Sequence, residues 1–370
     1  MCGVADENKQ TAAGETLLVC PELFAAEGGI ARISRLYLRA LRQAQPGHIR
    51  LVVLNDAALP PERLAPYGGP NLDGIGCARS KLAFFRAVLA TGRLARPCRP
   101  ALATHVHLLP ALWLLTLLRR DFRYDVVLHG VEVWRPLPLT LRIALRRVRR
   151  AYCVSNYTRE RVANLHPVLA DRLRVLPNAL DPDREFACDT SGQTQPGRIL
   201  ALSRLAAHDA AKGIDHLIAA LPAIRAARPS AHLVIAGDGN DRPRLENLAR
   251  HSPTASAITF TGTVDNNHAR ALLASCQIFA LPSNKEGFGL VFLEAMSAGK
   301  PCVGARAGGI PEVISDETGL LVPYGDVTAL AAACVRALDH PWDADALRRR
   351  AQLFSSERFT EQFATLWNQP

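Results

Sequence analysis

Two glutamates eight positions apart, Glu286 and Glu294, bracket the glycines Gly287 and Gly289 in the stretch SNKEGFGLVFLEAMSAGKP at 283–301. An ionised carboxylate only accepts hydrogen bonds, and it bonds hydroxyls strongly. Glycines remove the bulk that would keep an anion such as a diphosphate away from backbone N–H groups. A ligand with a diphosphate in the middle and hydroxyls at both ends, a nucleotide sugar, satisfies both features. The plainer alternative is that Glu286 favours the positive end of a helix dipole while Glu294 faces solvent.

The surrounding pattern says what positions them. Residues 277–282 form a continuous apolar run, as a strand buried on both faces does. From about Phe288 to Ala298 the spacing is helical, with Gly299 placed to end the helix and Pro301 to stop it. The unit is therefore strand, tight loop, helix, with the loop at the carboxyl end of the strand. Ligands bind there in open parallel sheets. Similar strand-like runs recur at 16–20, 50–54, 103–107, 125–129, 151–155 and 173–176. They resume at 198–203, 232–236, 258–261, 277–281, 301–304 and 319–322, with helical patterns between. Such alternation predicts an α/β protein with two doubly wound parallel sheets. The boundaries expected are a disordered leader at 1–15, a first domain at 16–180 and a linker at 181–197. A second domain at 198–352 and a terminal helix at 353–370 complete the chain.

Glu286-x-Phe288-Gly289, Glu294-Ala295-Met296 and Gly299-Lys300-Pro301 together resemble the signature of glycosyltransferase family 4. These are retaining sugar transferases with two Rossmann-like domains facing a cleft, the GT-B fold. The terminal helix of such a fold crosses back to the first domain. The resemblance implies that Glu286 contacts the transferred sugar and Glu294 the nucleotide ribose. It implies diphosphate contacts for Gly287, Phe288, Gly289 and Leu290. Arg204 and Lys212 stand where the family carries two cations facing that diphosphate, in a gap longer than many members have. Fixed cations there would stabilise the charge that grows as a nucleoside diphosphate departs. His129, in a His-Gly context, is implied to touch the donor sugar. Glu132 would orient His129 or bind the acceptor. Gly28 and Gly29 match a glycine pair lining the cleft, Gly262 lies near the base, and Asn156 faces the same cleft. The resemblance implies no cofactor and no metal.

Composition bounds the rest. The chain has 370 residues, 48% of them hydrophobic and 21% charged, which suits two folded domains. No apolar run reaches the roughly 18 residues of a membrane span. Nine cysteines without a C-x-x-C pair suggest a reducing cytoplasm rather than a zinc site. Asp343-x-Asp345 looks like a metal-binding pair, but preceding Ala-Leu-Arg-Arg-Arg it reads as a helix cap. The net charge of +10 raises nucleic acid as a partner, yet aromatics make up only 6% and do not interleave the basic cluster. Eleven arginines against four acids lie between Arg119 and Arg161. Read as a basic amphipathic helix through Arg142–Arg150, they predict contact with an anionic membrane surface. A solvated outer face is the alternative. The partners expected are a nucleotide-diphosphate sugar and a glycan or polyprenyl-diphosphate-linked acceptor. A sugar-nucleotide epimerase or a phosphorylase of the same architecture is the rival activity. The acid–base residues of the one and the pyridoxal lysine of the other have no visible pattern.

Overall fold

The computed structural model describes residues 14–369, apart from 27, 46, 69–70, 95–99 and 183–193. The expected leader lies outside the described residues except for Gly14 and Glu15, and most of the expected linker lies outside them too. The chain divides into two compact units. The first comprises Met1–Val154, Thr158–Pro177 and Ser356–Pro370, and the second Ser155–Tyr157 and Asn178–Ser355.

The first unit holds a sheet of seven strands: β1 (Thr16–Cys20), β2 (Ile49–Val53), β3 (Leu72–Gly76), β4 (Ala101–Ala103), β5 (Tyr124–Leu128), β6 (Val148–Cys153) and β7 (Leu173–Val175). They run in the order β3-β2-β1-β4-β5-β6-β7, and every described pairing is parallel. The second unit holds six: β8 (Arg198–Leu202), β9 (His232–Ala236), β10 (Ile258–Gly262), β11 (Ile278–Leu281), β12 (Cys302–Ala305) and β13 (Gly319–Val322). Their order is β10-β9-β8-β11-β12-β13, again parallel. Helices cover both faces, so the central strands are apolar throughout; β1 and β11 are buried at every residue. In each sheet the chain starts near the middle, winds out one way, then restarts beside its first strand. The direction reverses between β1 and β4 and between β8 and β11, which opens a ligand-accepting crevice at those carboxyl ends. This is the doubly wound α/β class expected from the sequence.

After Pro177 the chain builds the second unit and returns with the helix Ser356–Asn368. Phe359 and Phe363 of that helix meet Tyr37 edge-on, at 5.0 and 5.5 Å between ring centres. Phe363 is fully buried, and truncating such a side chain typically costs about 3–5 kcal/mol. The terminal helix is thus core to the first unit.

Three expectations need correction. Strand β3 was not anticipated, because Leu72-Asp-Gly-Ile-Gly is an edge strand in which only Leu72 is buried, and its two glycines and one aspartate form no apolar run. The run at 103–107 is strand only up to Ala103; His105 then caps a 3-10 turn by accepting the His107 N–H, just ahead of the helix Leu109–Leu118. The basic helix through Arg142–Arg150 does not exist as such. The helix is Leu139–Leu145, and Val148 already begins β6. Arg149 and Arg150 are strand residues with inward roles: Arg149 grips Asp125 at 3.0 and 2.7 Å, and Arg150 donates to the carbonyls of Leu366 and Gln369 at 2.6 and 2.7 Å. Those carbonyls belong to the open end of the terminal helix, where cations are favoured. A membrane contact through one helical face of arginines is therefore ruled out in that form. Among the described residues, no helix is long and apolar enough to cross a membrane.

Candidate active site

In the second unit, two loops at the switch point are fastened to each other. Lys212 ends the turn Ala207–Lys212 that follows β8, and Glu286 lies in the loop after β11. Asn284 donates its N–H to the Ala211 carbonyl at 2.8 Å. Gly213 has φ +74°, and a Cβ there would sit 2.5 Å from the Pro282 oxygen, so only glycine permits this approach. The result is that the Lys212 Nζ donates to Glu286 Oε2 at 2.5 Å, with side chains only 23% and 19% exposed. The ammonium has two further hydrogens and the carboxylate a second oxygen, none with a partner among the described residues. A cation and an acceptor side by side suit a ligand carrying both negative charge and hydroxyls.

Glu294 sits in the helix Leu290–Ser297 and is 2% exposed, which removes the solvent-facing alternative. Gly289 caps that helix, its backbone left-handed at φ +104°. Phe288 is buried with its ring edge-on to Phe354 at 5.4 Å, so its side chain anchors the loop while the backbone stays at the helix start. Gly287 and Leu290 are partly exposed beside it. Arg204, after β8, is exposed and lines a hollow with Lys212, Asp215, Asp241 and Arg244. Asp241 is held by Arg244 at 2.8 and 2.7 Å, and that partner keeps its carboxyl below the usual carboxylate range. Gly262 ends β10, buried against Arg242, and accepts the Gly237 N–H at 2.9 Å. Asn156, grouped by compactness with this unit, gives its backbone N–H and side-chain amide to Glu312 at 2.8 and 3.0 Å, and Tyr157 adds a third bond at 2.9 Å. Asp343 accepts the Asp345 N–H as a helix cap and also pairs with Arg349, while Asp345 pairs with Arg348.

In the first unit, His129 follows β5. Its backbone N–H goes to Glu132 Oε1 at 2.6 Å, and its ring Nε2 lies 2.6 Å from the Thr104 carbonyl oxygen. A carbonyl only accepts, so Nε2 carries the hydrogen and Nδ1 is the nitrogen left for a ligand. Glu132 thus holds the backbone at His129, while the ring is held by the Thr104 carbonyl. The His105 ring stacks on His129 at 5.6 Å. Gly28 and Gly29 are exposed after β1; a Cβ on Gly28 would come no closer than 3.8 Å to Glu22, and one on Gly29 would meet nothing. The fold itself does not demand glycine at either position.

The family model described as Glycosyltransferase Family 4 matches residues 27–184, and that described as Glycosyl transferases group 1 matches residues 196–340. The chain belongs to glycosyltransferase family 4. Among its relatives is a Mycobacterium tuberculosis GDP-mannose-dependent alpha-(1-6)-phosphatidylinositol monomannoside mannosyltransferase, 36% identical over 57% of this chain and 59% of the relative. A glycogen synthase of the same species is 37% identical over 53% of this chain and 46% of the relative. The matches thus span about half of those relatives' length. Of solved structures, Anabaena HepE in complex with UDP and glucose overlays 96% of this chain and all of its own, with a TM-score of 0.76 at 19% identity. Sucrose-phosphate synthase from Thermosynechococcus elongatus covers 96% of this chain and 98% of its own, with a TM-score of 0.73 at 22% identity. At such identities these two show the shared fold alone.

This family 4 chain also carries site residues that sequence reading passed over. Gly309 donates its N–H to the Glu286 carbonyl at 2.8 Å, and a Cβ at Gly308 would sit 2.3 Å from that same oxygen. The Gly308-Gly309 turn after β12, which leads into the short helix Ile310–Val313, thus lies against the Glu286 backbone. Its glycine pair, standing between a strand-like run and a proline, was a readable signal. Glu312 and His105 gave none, because their partners are 156 and 24 positions away.

Proposed function

We propose that this chain is a retaining, metal-independent hexosyltransferase, using a UDP- or GDP-linked donor and a hydroxyl of a glycan or lipid-linked acceptor. The observation that carries it is the Lys212–Glu286 pair at the second unit's switch point, with the buried Glu294 on the adjoining helix. In this reading Glu294 accepts from the ribose hydroxyls, Glu286 accepts from the donor sugar, and Lys212 with Arg204 balances the diphosphate. The new glycosidic bond forms on the face from which the diphosphate leaves, and a departing phosphate oxygen takes the acceptor's proton. Charge that grows on the leaving group meets fixed cations where a metal would otherwise stand. The GDP-mannose dependence of the mannosyltransferase relative supports a GDP-linked donor, and the UDP and glucose held by HepE show that this fold also accepts a UDP-linked one. The reading places the enzyme in the cytoplasm, where nucleotide sugars are made.

The test begins with thermal unfolding in the presence of UDP, GDP and ADP; a ligand at 100 times its Kd adds about 2.7 kcal/mol of stability. The stabilising nucleotide's sugars are then offered with acceptor and chelator, and the product's anomeric configuration is read by NMR. Transfer with retention is expected. An inverted product, loss of activity with chelator, or release of a modified sugar from donor alone would overturn the proposal.

A further inference from the structure

The arginines that do not form a membrane helix converge elsewhere. At the amino ends of β5, β6 and β7 the first unit has a hollow of about 760 Å³, lined by Arg120, Arg123, Arg147, Arg149, Arg172 and Leu117, with no carboxylate among its lining residues. Among the described lining residues only Arg149 makes an ion pair, with the buried Asp125; Asp121, already paired with Arg119, also acts on Arg123. Arg123 and Arg172 are held in place by neutral acceptors: Arg123 donates to the Arg120 and Phe122 carbonyls at 2.8 and 3.1 Å, and Arg172 to those of Arg146 and Val148 at 2.8 and 3.0 Å. These bonds fix the guanidinium groups without neutralising them. Arg120 and Arg147 are exposed, and their side chains neither hydrogen-bond nor ion-pair within the described residues.

We propose that this hollow binds a phosphate-bearing anion, at the end of the sheet opposite to His129 and apart from the transfer site. Guanidinium is planar and meets phosphate oxygens two at a time, and four guanidinium groups without an ion pair of their own call for more than one negative charge. Nucleic acid is disfavoured because the aromatic lining residue, Phe122, is 2% exposed and offers no stacking face. The phosphate belongs either to a lipid headgroup or to a free diphosphate. Leu117, a lining residue 60% exposed, and its exposed chain neighbour Leu118 offer apolar surface where an acyl boundary would lie.

The decisive material is the full chain and the double variant Arg120→Gln/Arg147→Gln, with Arg120→Gln alone as a second variant if the double one melts early. Calorimetry with sodium pyrophosphate and sedimentation with phosphatidylglycerol-containing or pure phosphatidylcholine vesicles are run side by side. The expected result is saturable binding to at least one anionic probe, weakened tenfold or more by the variants, with Arg349→Gln in the other unit showing no change. Loss of vesicle binding assigns a headgroup; pyrophosphate binding without vesicle binding assigns a free diphosphate. No binding to either probe, indifference to the variants, or equally variant-sensitive binding of unrelated single-stranded DNA would overturn it.

Discussion

Asp125 and Glu286 are both carboxylates gripped by a cation, and they are built for opposite ends. Asp125 is fully buried and accepts from Nε and Nη2 of Arg149, from the Arg150 N–H at 3.1 Å and from the Tyr152 hydroxyl at 3.0 Å. Nothing is left over for a ligand. Glu286 accepts side-chain donation from Lys212 alone among the described residues, and both partners keep bonding capacity and some exposure. A saturated charge network fixes structure. An unsaturated one, held by backbone at Gly213 and Gly309, waits for a partner of complementary chemistry.

The sharpest way to break this comparison is Asp125→Ala. It strands a half-buried guanidinium, a buried phenol and a buried backbone N–H together, so stability should fall by about 3 kcal/mol in urea unfolding. Because Arg149 also touches the Trp367 carbonyl at 3.4 Å, the terminal helix should loosen with it. A loss under about 1 kcal/mol would mean that the network is replaceable. Lys212→Ala should show the reverse profile. Turnover should drop about 10²–10³-fold while stability moves by less than about 1 kcal/mol, since on the proposed mechanism the charge that Lys212 faces grows in the transition state. If kcat holds and only KM rises, Lys212 binds uniformly and its assigned role is wrong.

The two carboxylates were unequally visible beforehand. Glu286 and Glu294 stand in one ordered motif, where strand, loop and helix follow one another within 25 residues, so local pattern sufficed. The doubly wound class was legible for the same reason, most strands other than β3 being apolar runs of their own. Asp125 gave no signal, because its partners start another strand and its meaning depends on chain that returns more than 200 positions later. The arginines at 146–150 misled for a related reason. Helical and strand periods cannot be told apart over so few residues, and their acceptors are far away in the chain.

Glu294→Ala sharpens the comparison within the second unit. A buried carboxylate that serves structure alone would shift stability and leave nucleotide affinity untouched. One that holds the ribose should lower affinity for UDP or GDP, with or without the sugar attached, by roughly 1.5–3 kcal/mol. Calorimetry on the folded variant decides, and unchanged affinity removes Glu294 from the nucleotide site.

His105 represents a third arrangement, a titratable group that stays neutral. Burial, with the neighbouring His129 and His107 adding to it, pushes its imidazole down to about 3. Its Nδ1 also accepts the His107 N–H at 3.3 Å, a bond that protonation there would destroy. The unfolded chain should titrate near the ordinary histidine value of about 6.5. Between that value and about 3, the unfolded state holds a proton that the folded state refuses. Stability from this residue is therefore complete above about pH 6.5 and declines as the pH falls, by up to about 1.4 kcal/mol per unit. His105→Asn keeps an acceptor for the His107 N–H but cannot titrate. Urea unfolding at pH 7.5 and 5.5 should show the parent losing about 1 kcal/mol more than the variant over that interval. Equal losses would mean that the ring takes up its proton without unfolding, and that the histidines after β4 and β5 share charge rather than exclude it.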